Sequence, residues 1–83
     1  MKYNVEIRPQ AVRDVGALSP EVARRIVAKI EAVRDGLAGD VKRLTHFTPE
    51  YRLRVGDYRV LFELHGHRIV IYRVLHRREA YDR

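Results

Sequence analysis

The chain has 83 residues, 46% apolar and 34% charged, enough for one compact domain spanning 1–83 with a thin core and too apolar for intrinsic disorder. It has no cysteine, which excludes a disulfide framework, a thiolate nucleophile and a Cys-ligated zinc site. Of the formal charge of +6, residues 42–83 carry nearly all, with ten basic and five acidic groups, and fourteen of the seventeen basic residues are Arg; this suggests a polyanionic partner, with a general compositional bias toward Arg as the alternative.

The N-terminal MKYNVEIRPQ lacks the continuous apolar run of a signal peptide or membrane span, so the chain reads as mature from its first residue, cytoplasmic and without a membrane partner. Tyr3, Val5 and Ile7 alternate with polar residues, predicting a strand over 2–8 that Pro9 ends. Ala11, Val12, Val15 and Leu18 recur at helical spacing, predicting a short helix over 9–18 weakened by Gly16.

Ser19, Pro20 and Glu21 form a helix start: a capping hydroxyl, a residue suited to the first turn and a charge that the helix dipole favours. Val22, Ile26, Ile30 and Val33, broadened by Ala23 and Val27, form the stripe that packs this second helix on a sheet. Gly36 ends it, with Leu37 folding back onto Ala32, and a loop runs on through Gly39, Asp40, Leu44, His46 and Pro49.

Tyr51, Leu53 and Val55 alternate with Arg52 and Arg54, and Gly56-Asp57 offers a two-residue hairpin turn into Tyr58, Val60, Phe62 and Leu64. Gly66 marks a second turn before the mostly apolar run Ile69 to Leu75, which reads as a central strand. The predicted fold class is thus α+β, in the order β-α-α-β-β-β, with two helices on one face of a mostly antiparallel four-stranded sheet.

A two-residue turn at Gly56-Asp57 sets Arg54 directly opposite Arg59 on the outward face, with Arg52 beside them. Like charges so placed are destabilising, which a visiting phosphate would relieve; neutralisation by Glu63 or a loop acid, with the arginines merely solubilising an exposed face, is the bland alternative. A three-residue second turn would bring Arg73 and Arg77 onto the same face, since one residue of slip flips every side chain.

His76 to Arg83 adds an imidazole, a phenol, two carboxylates and three guanidiniums. RNA cleavage without a metal needs a base for the 2′-OH, charge stabilisation at phosphorus and an acid for the departing 5′-oxygen; His76, the arginines and Tyr81 can supply them. Each has an ordinary reading too: His76 as a structural strand-end residue, Tyr81 as packing, and His65 and His67 as solvated turn residues, not metal ligands. No cofactor is implied.

The segment YRLRVGDYRVLFE, Tyr51 to Glu63, resembles the central motif of RelE-type toxins, and VLHRREAY, Val74 to Tyr81, resembles their C-terminal motif. With the same element order, the resemblance to the RelE/ParE superfamily spans the chain. It implies a toxin of a type II toxin-antitoxin pair that enters the ribosome, cuts messenger RNA without a metal, and forms a hetero-oligomer with a cognate antitoxin. By resemblance, Arg59 matches the transition-state arginine, Arg77 the arginine near the leaving group, and Tyr81 the tyrosine that orients or stacks the substrate; Arg52, Arg54, Arg73 and Arg78 would hold RNA phosphates.

Arg52 and Arg54 stand where well-known members carry lysines, one a proposed general base. Arg is a poor base, so either Arg54 acts electrostatically or His76 takes the proton. Two alternatives stay open: a ParE-like toxin acting on DNA gyrase, and a noncatalytic basic nucleic-acid-binding module.

Overall fold

A computed structural model describes residues 2–36, 39, 41–44 and 49–81, without the side chains of 80 and 81. The elements run β1 (Asn4–Ile7), α1 (Pro9–Gly16), α2 (Pro20–Arg34), β2 (Val41–Arg43), β3 (Tyr51–Val55), β4 (Tyr58–His65), β5 (Arg68–His76) and α3 (Arg77–Tyr81). The sheet order is β1-β5-β4-β3-β2, with β1 parallel to β5 and every other pairing antiparallel.

The α+β class and the order of the predicted elements hold, with two additions. Val41–Arg43 pairs with Tyr51–Leu53 as a fifth, edge strand inside what the sequence presents as a loop. Arg77–Tyr81 turns into a short helix where a strand tail was expected. Leu37, Asp40 and His46 lie outside the described residues.

Local chemistry explains the boundaries. α1 stops at Gly16, two residues short of the predicted span, because Gly loses most conformational freedom in a helix. At the start of α2, Ser19 Oγ accepts a hydrogen bond from the Val22 N–H at 3.4 Å, with Pro20 in the first turn. Gly56 at φ 59° and Gly66 at φ 63° allow the two tight hairpin turns, in a region that L side chains disfavour.

Ile26, Ile30 and Val33 of α2 and Ala11 of α1 pack on Leu53, Val55, Val60, Phe62, Ile69, Ile71 and Val74 of the sheet, forming one core cluster. Val27, expected to broaden the buried stripe, is 46% exposed. Leu61, Val70 and Leu75 are also buried, and the register puts them on the sheet face turned away from this cluster.

The feature that sets the site is a β-bulge. The Gly66-His67 turn pairs His65 with Arg68 and Phe62 with Ile71, but Leu61 pairs with Arg73, which leaves Tyr72 as the extra residue. An extra residue reverses the alternation of every side chain after it. Arg73 and Leu75 consequently fall on the face of Arg59 and Leu61, and His76 turns to the other side.

Candidate nucleic-acid site

The predicted β3–β4 register holds residue for residue: Val55 pairs with Tyr58, Leu53 with Val60, and Arg54 with Arg59. On the face away from the helices the cross-strand rows read Lys42, Arg52, Leu61, Arg73 and then Arg54, Arg59, Leu75. Lys42 and Arg54 are exposed and Arg52 is half-buried.

Arg59 is not an exposed surface cation. It is 5% exposed, the one buried charged residue among the described residues. Its Nη1 donates to the carbonyls of Gly56 and Tyr58, both at 2.9 Å. The Arg77 N–H donates to the intervening Asp57 carbonyl at 2.7 Å. All three consecutive carbonyls of the hairpin turn are thus held by Arg59 and by the first residue of α3, which fixes the spacing between turn and helix.

Arg73 reaches Arg59's face, which the sequence left conditional on a three-residue turn, through the bulge instead, yet its guanidinium is committed elsewhere. Its Nε and Nη2 donate to the Asp14 carboxylate of α1 at 2.8 and 3.1 Å, and the Val74 N–H donates to the same carboxylate at 2.9 Å. Burial pushes the Asp14 carboxyl up, but the hydrogen bonds from Arg73 and Val74 and the guanidinium charge outweigh it and hold the group below its ordinary 3.8. The hydrogen bond to Asp14 raises Arg73 in turn. Both shifts are those of a formed ion pair, so the expectation of Arg73 as a free phosphate ligand is corrected.

His76 does not join the arginines. It pairs with Tyr58, makes an edge-on ring contact with it at 5.5 Å between centroids, and lines a cleft with Gln10, Asp14 and Leu18 of α1. Its Nδ1 accepts from the Arg78 N–H at 3.3 Å, so the imidazole caps α3 from the helix-covered side. The bulge is the physical reason: without it, His76 would share the face of Arg59.

Arg77 and Arg78 are exposed on α3, and Tyr81 is its last residue, with a side chain outside the described set. His65 Nε2 lies 3.2 Å from Glu63, and no cluster of three metal-ligating side chains occurs among the described residues. Glu63 is therefore engaged by His65. Sequence reading missed Asp14 altogether: a lone carboxylate on an amphipathic helix carries no sign of a partner 59 residues away.

Four likenesses to known proteins bear on this arrangement. The ParE toxin family of type II toxin-antitoxin systems, parDE, matches residues 5–81. The toxin RelE3 of Methanocaldococcus jannaschii is 34% identical over 76 residues, which cover 86% of each chain. The fold superposes on a toxin-antitoxin complex, RelB-RelE of Methanococcus jannaschii, with a TM-score of 0.75 and 31% identity over 92% of this chain and 94% of that one. It superposes also on the RelBE2 toxin-antitoxin complex of Mycobacterium tuberculosis, with a TM-score of 0.79 and 25% identity over 92% and 99%.

No helix of the described residues is long and apolar enough to cross a membrane. With the family matched over nearly the whole chain and a RelE toxin related to it at 34% identity, the chain belongs to the RelE/ParE superfamily of type II toxin-antitoxin toxins, on its RelE-like side.

Proposed function

We propose that the protein is a metal-independent endoribonuclease that cuts messenger RNA in the ribosome and is silenced by a cognate antitoxin. The observation that carries this reading is the convergence of Arg54, Arg59 and the start of α3 at Arg77 on one hairpin turn. Phosphate cleavage by an adjacent 2′-OH builds negative charge on the phosphoryl oxygens, and pre-fixed cations stabilise that charge without reorganising.

In this reading Arg59, clamped by two carbonyls, supplies fixed positive potential beside the scissile phosphate. Arg54 contacts it from solvent and Arg77 faces the departing 5′-oxygen. Tyr81 orients or stacks a base, while Arg52 and Arg78 hold neighbouring phosphates. Since an arginine is a poor base, Arg54 works electrostatically, and most of the acceleration comes from charge stabilisation and orientation. Arg73 stays with Asp14, and His76 supports α3. The toxin would act in the cytoplasm, where messenger RNA is translated.

The antitoxin is supported by the neighbours, whose solved structures are toxin-antitoxin complexes. It is supported also by Ile7, Val12 and Val27, which are 42%, 56% and 46% exposed and line one apolar cleft of about 140 Å³ between α1, α2 and the end of β1. A soluble chain that leaves such residues together has a surface suited to a protein partner.

The second reading, inhibition of DNA gyrase, is favoured by the ParE label of the matching family. Primer extension on a defined message in a translating extract, run beside a supercoiling assay, tests both. Discrete ribosome-dependent cuts that disappear in Arg59→Ala support the nuclease. An intact message with inhibited gyrase would move the chain to the ParE-like activity, and RNA binding without cuts would make it a noncatalytic module.

A further inference from the structure

We propose that Asp14, on the first helix and far in sequence from the arginines, is a positioning residue for the candidate site: it locks the segment of β5 after the bulge and so determines where α3 and Arg77 stand. The effect on cleavage rests on the nuclease reading above; the effect on structure does not.

β1 stops pairing at Ile7 opposite Ile71, and Arg8 gives the last bond of that edge, its N–H donating to the Ile71 carbonyl at 2.9 Å. Beyond it, among the described residues, the edge of β5 has no strand beside it. Asp14 takes over there: one carboxylate accepts the Val74 N–H at 2.9 Å and two bonds from the Arg73 guanidinium at 2.8 and 3.1 Å. The carboxylate side chain is only 11% exposed and Arg73's is 26% exposed, so these bonds are largely sheltered from water.

The two residues gripped are the first two after the extra residue Tyr72. That location matters because the strand has a competing register. The Gly66-His67 turn, continued without a bulge, would set Val74 opposite Arg59 and exchange the two faces of everything from Arg73 onward. Val74 would leave the core, Leu75 would enter it, and His76 would move among the arginines.

The bulged register instead ends with Tyr58 opposite His76, and this is what brings the next N–H, that of Arg77, to the Asp57 carbonyl at 2.7 Å. Arg59 holds the carbonyls on either side. A chain of direct contacts therefore runs from Asp14 through Val74 and β5 to Arg77 and the turn that Arg59 braces.

The test combines backbone amide exchange with single-turnover and steady-state cleavage, on the full chain and on Asp14→Ala and Asp14→Asn. Asn keeps an acceptor for Val74 but loses the charge. In Asp14→Ala, amide protection at Val74 and Arg77 is expected to fall about tenfold or more while the amides of Leu53, Val60 and Phe62 keep theirs. The cleavage rate constant should drop about 100-fold with KM within about twofold, since a small misplacement of a reacting group acts on turnover more than on binding. Asp14→Asn should recover part of both.

Unchanged protection at Arg77 in Asp14→Ala overturns the proposal, as does a uniform loss across all strands, which would mark a general stability role. A wild-type protein that cuts RNA, with an alanine variant of equal turnover, overturns it as well. If the wild type does not cut RNA at all, the nuclease reading falls, and the exchange at Arg77 still decides the role of Asp14.

Discussion

Arg54 and Arg59 face each other across the β3–β4 ladder, yet one is open to solvent and the other is 5% exposed, with its Nη1 bonded to two turn carbonyls. The two cations therefore do different work. Arg59→Ala leaves the carbonyls of Gly56 and Tyr58 without this donor, and the variant should lose about 2 kcal/mol of stability as well as cleavage. Urea unfolding beside the cleavage assay separates the two losses; an Arg59→Ala protein of wild-type stability would contradict the buried placement.

Arg54→Ala has the opposite profile. Arg54 is an exposed side chain outside the buried turn contacts, and its removal should change stability by no more than about 0.5 kcal/mol. RNA affinity should weaken, and the dependence of log K on log salt should flatten by about 0.7 if one phosphate contact is lost. Binding titrations at several salt concentrations measure this, and an unchanged slope would take Arg54 off the RNA path.

The Asp14–Arg73 pair has a pH signature. Asp14's carboxyl is held below its ordinary value in the fold, so the unfolded chain binds its proton more readily. The contribution is present above the unfolded value near 3.8 and is lost as pH falls through the lower folded value. Arg73→Gln should remove much of that acid sensitivity, visible as a flatter unfolding free energy between neutral and strongly acidic pH. Equal slopes for the two proteins would argue against the ion pair.

Val12 and Val27 are surface residues whose replacement should not touch the core. Val12→Asp or Val27→Lys should leave thermal unfolding within about 0.5 kcal/mol of wild type. Each should cost about 1–2 kcal/mol of antitoxin affinity, an effect read by calorimetry with the purified partner. Unaltered affinity in both would place the partner elsewhere.

His76 lies across the sheet from the arginine rows. His76→Gln should therefore keep cleavage within a few-fold of wild type, whereas removing a general base typically costs roughly 100-fold or more. The pH–rate profiles of the two proteins should coincide near neutrality; a profile that loses its limb in the variant would return the imidazole to the chemistry.

The strands of the first hairpin were legible because a period-2 pattern and a Gly-Asp turn fix register by themselves, which gave the Arg54–Arg59 pairing in advance. The second hairpin was not. A bulge is one residue of slack, and nothing in the sequence around Tyr72 marks it, yet it decides the side on which Arg73, Leu75 and His76 stand. The burial of Arg59 was hidden for a related reason: a long cation in an alternating strand reads as solvent-facing unless backbone carbonyls are known to wait for it. β2 went unseen because three residues carry too little pattern.

The parallel pairing of β1 with β5 has a consequence for synthesis. Asn4 meets Arg68 and Asp14 meets Arg73, so β1 and Asp14 gain these partners only after β5 has been translated. Until β5 and α3 have left the translating machine, β1 has no neighbouring strand, Asp14 has no bulge to grip and the turn is unbraced at Arg77. The arginine face of this toxin is therefore assembled late in synthesis, once β5 and α3 are free to fold against β1, α1 and the turn.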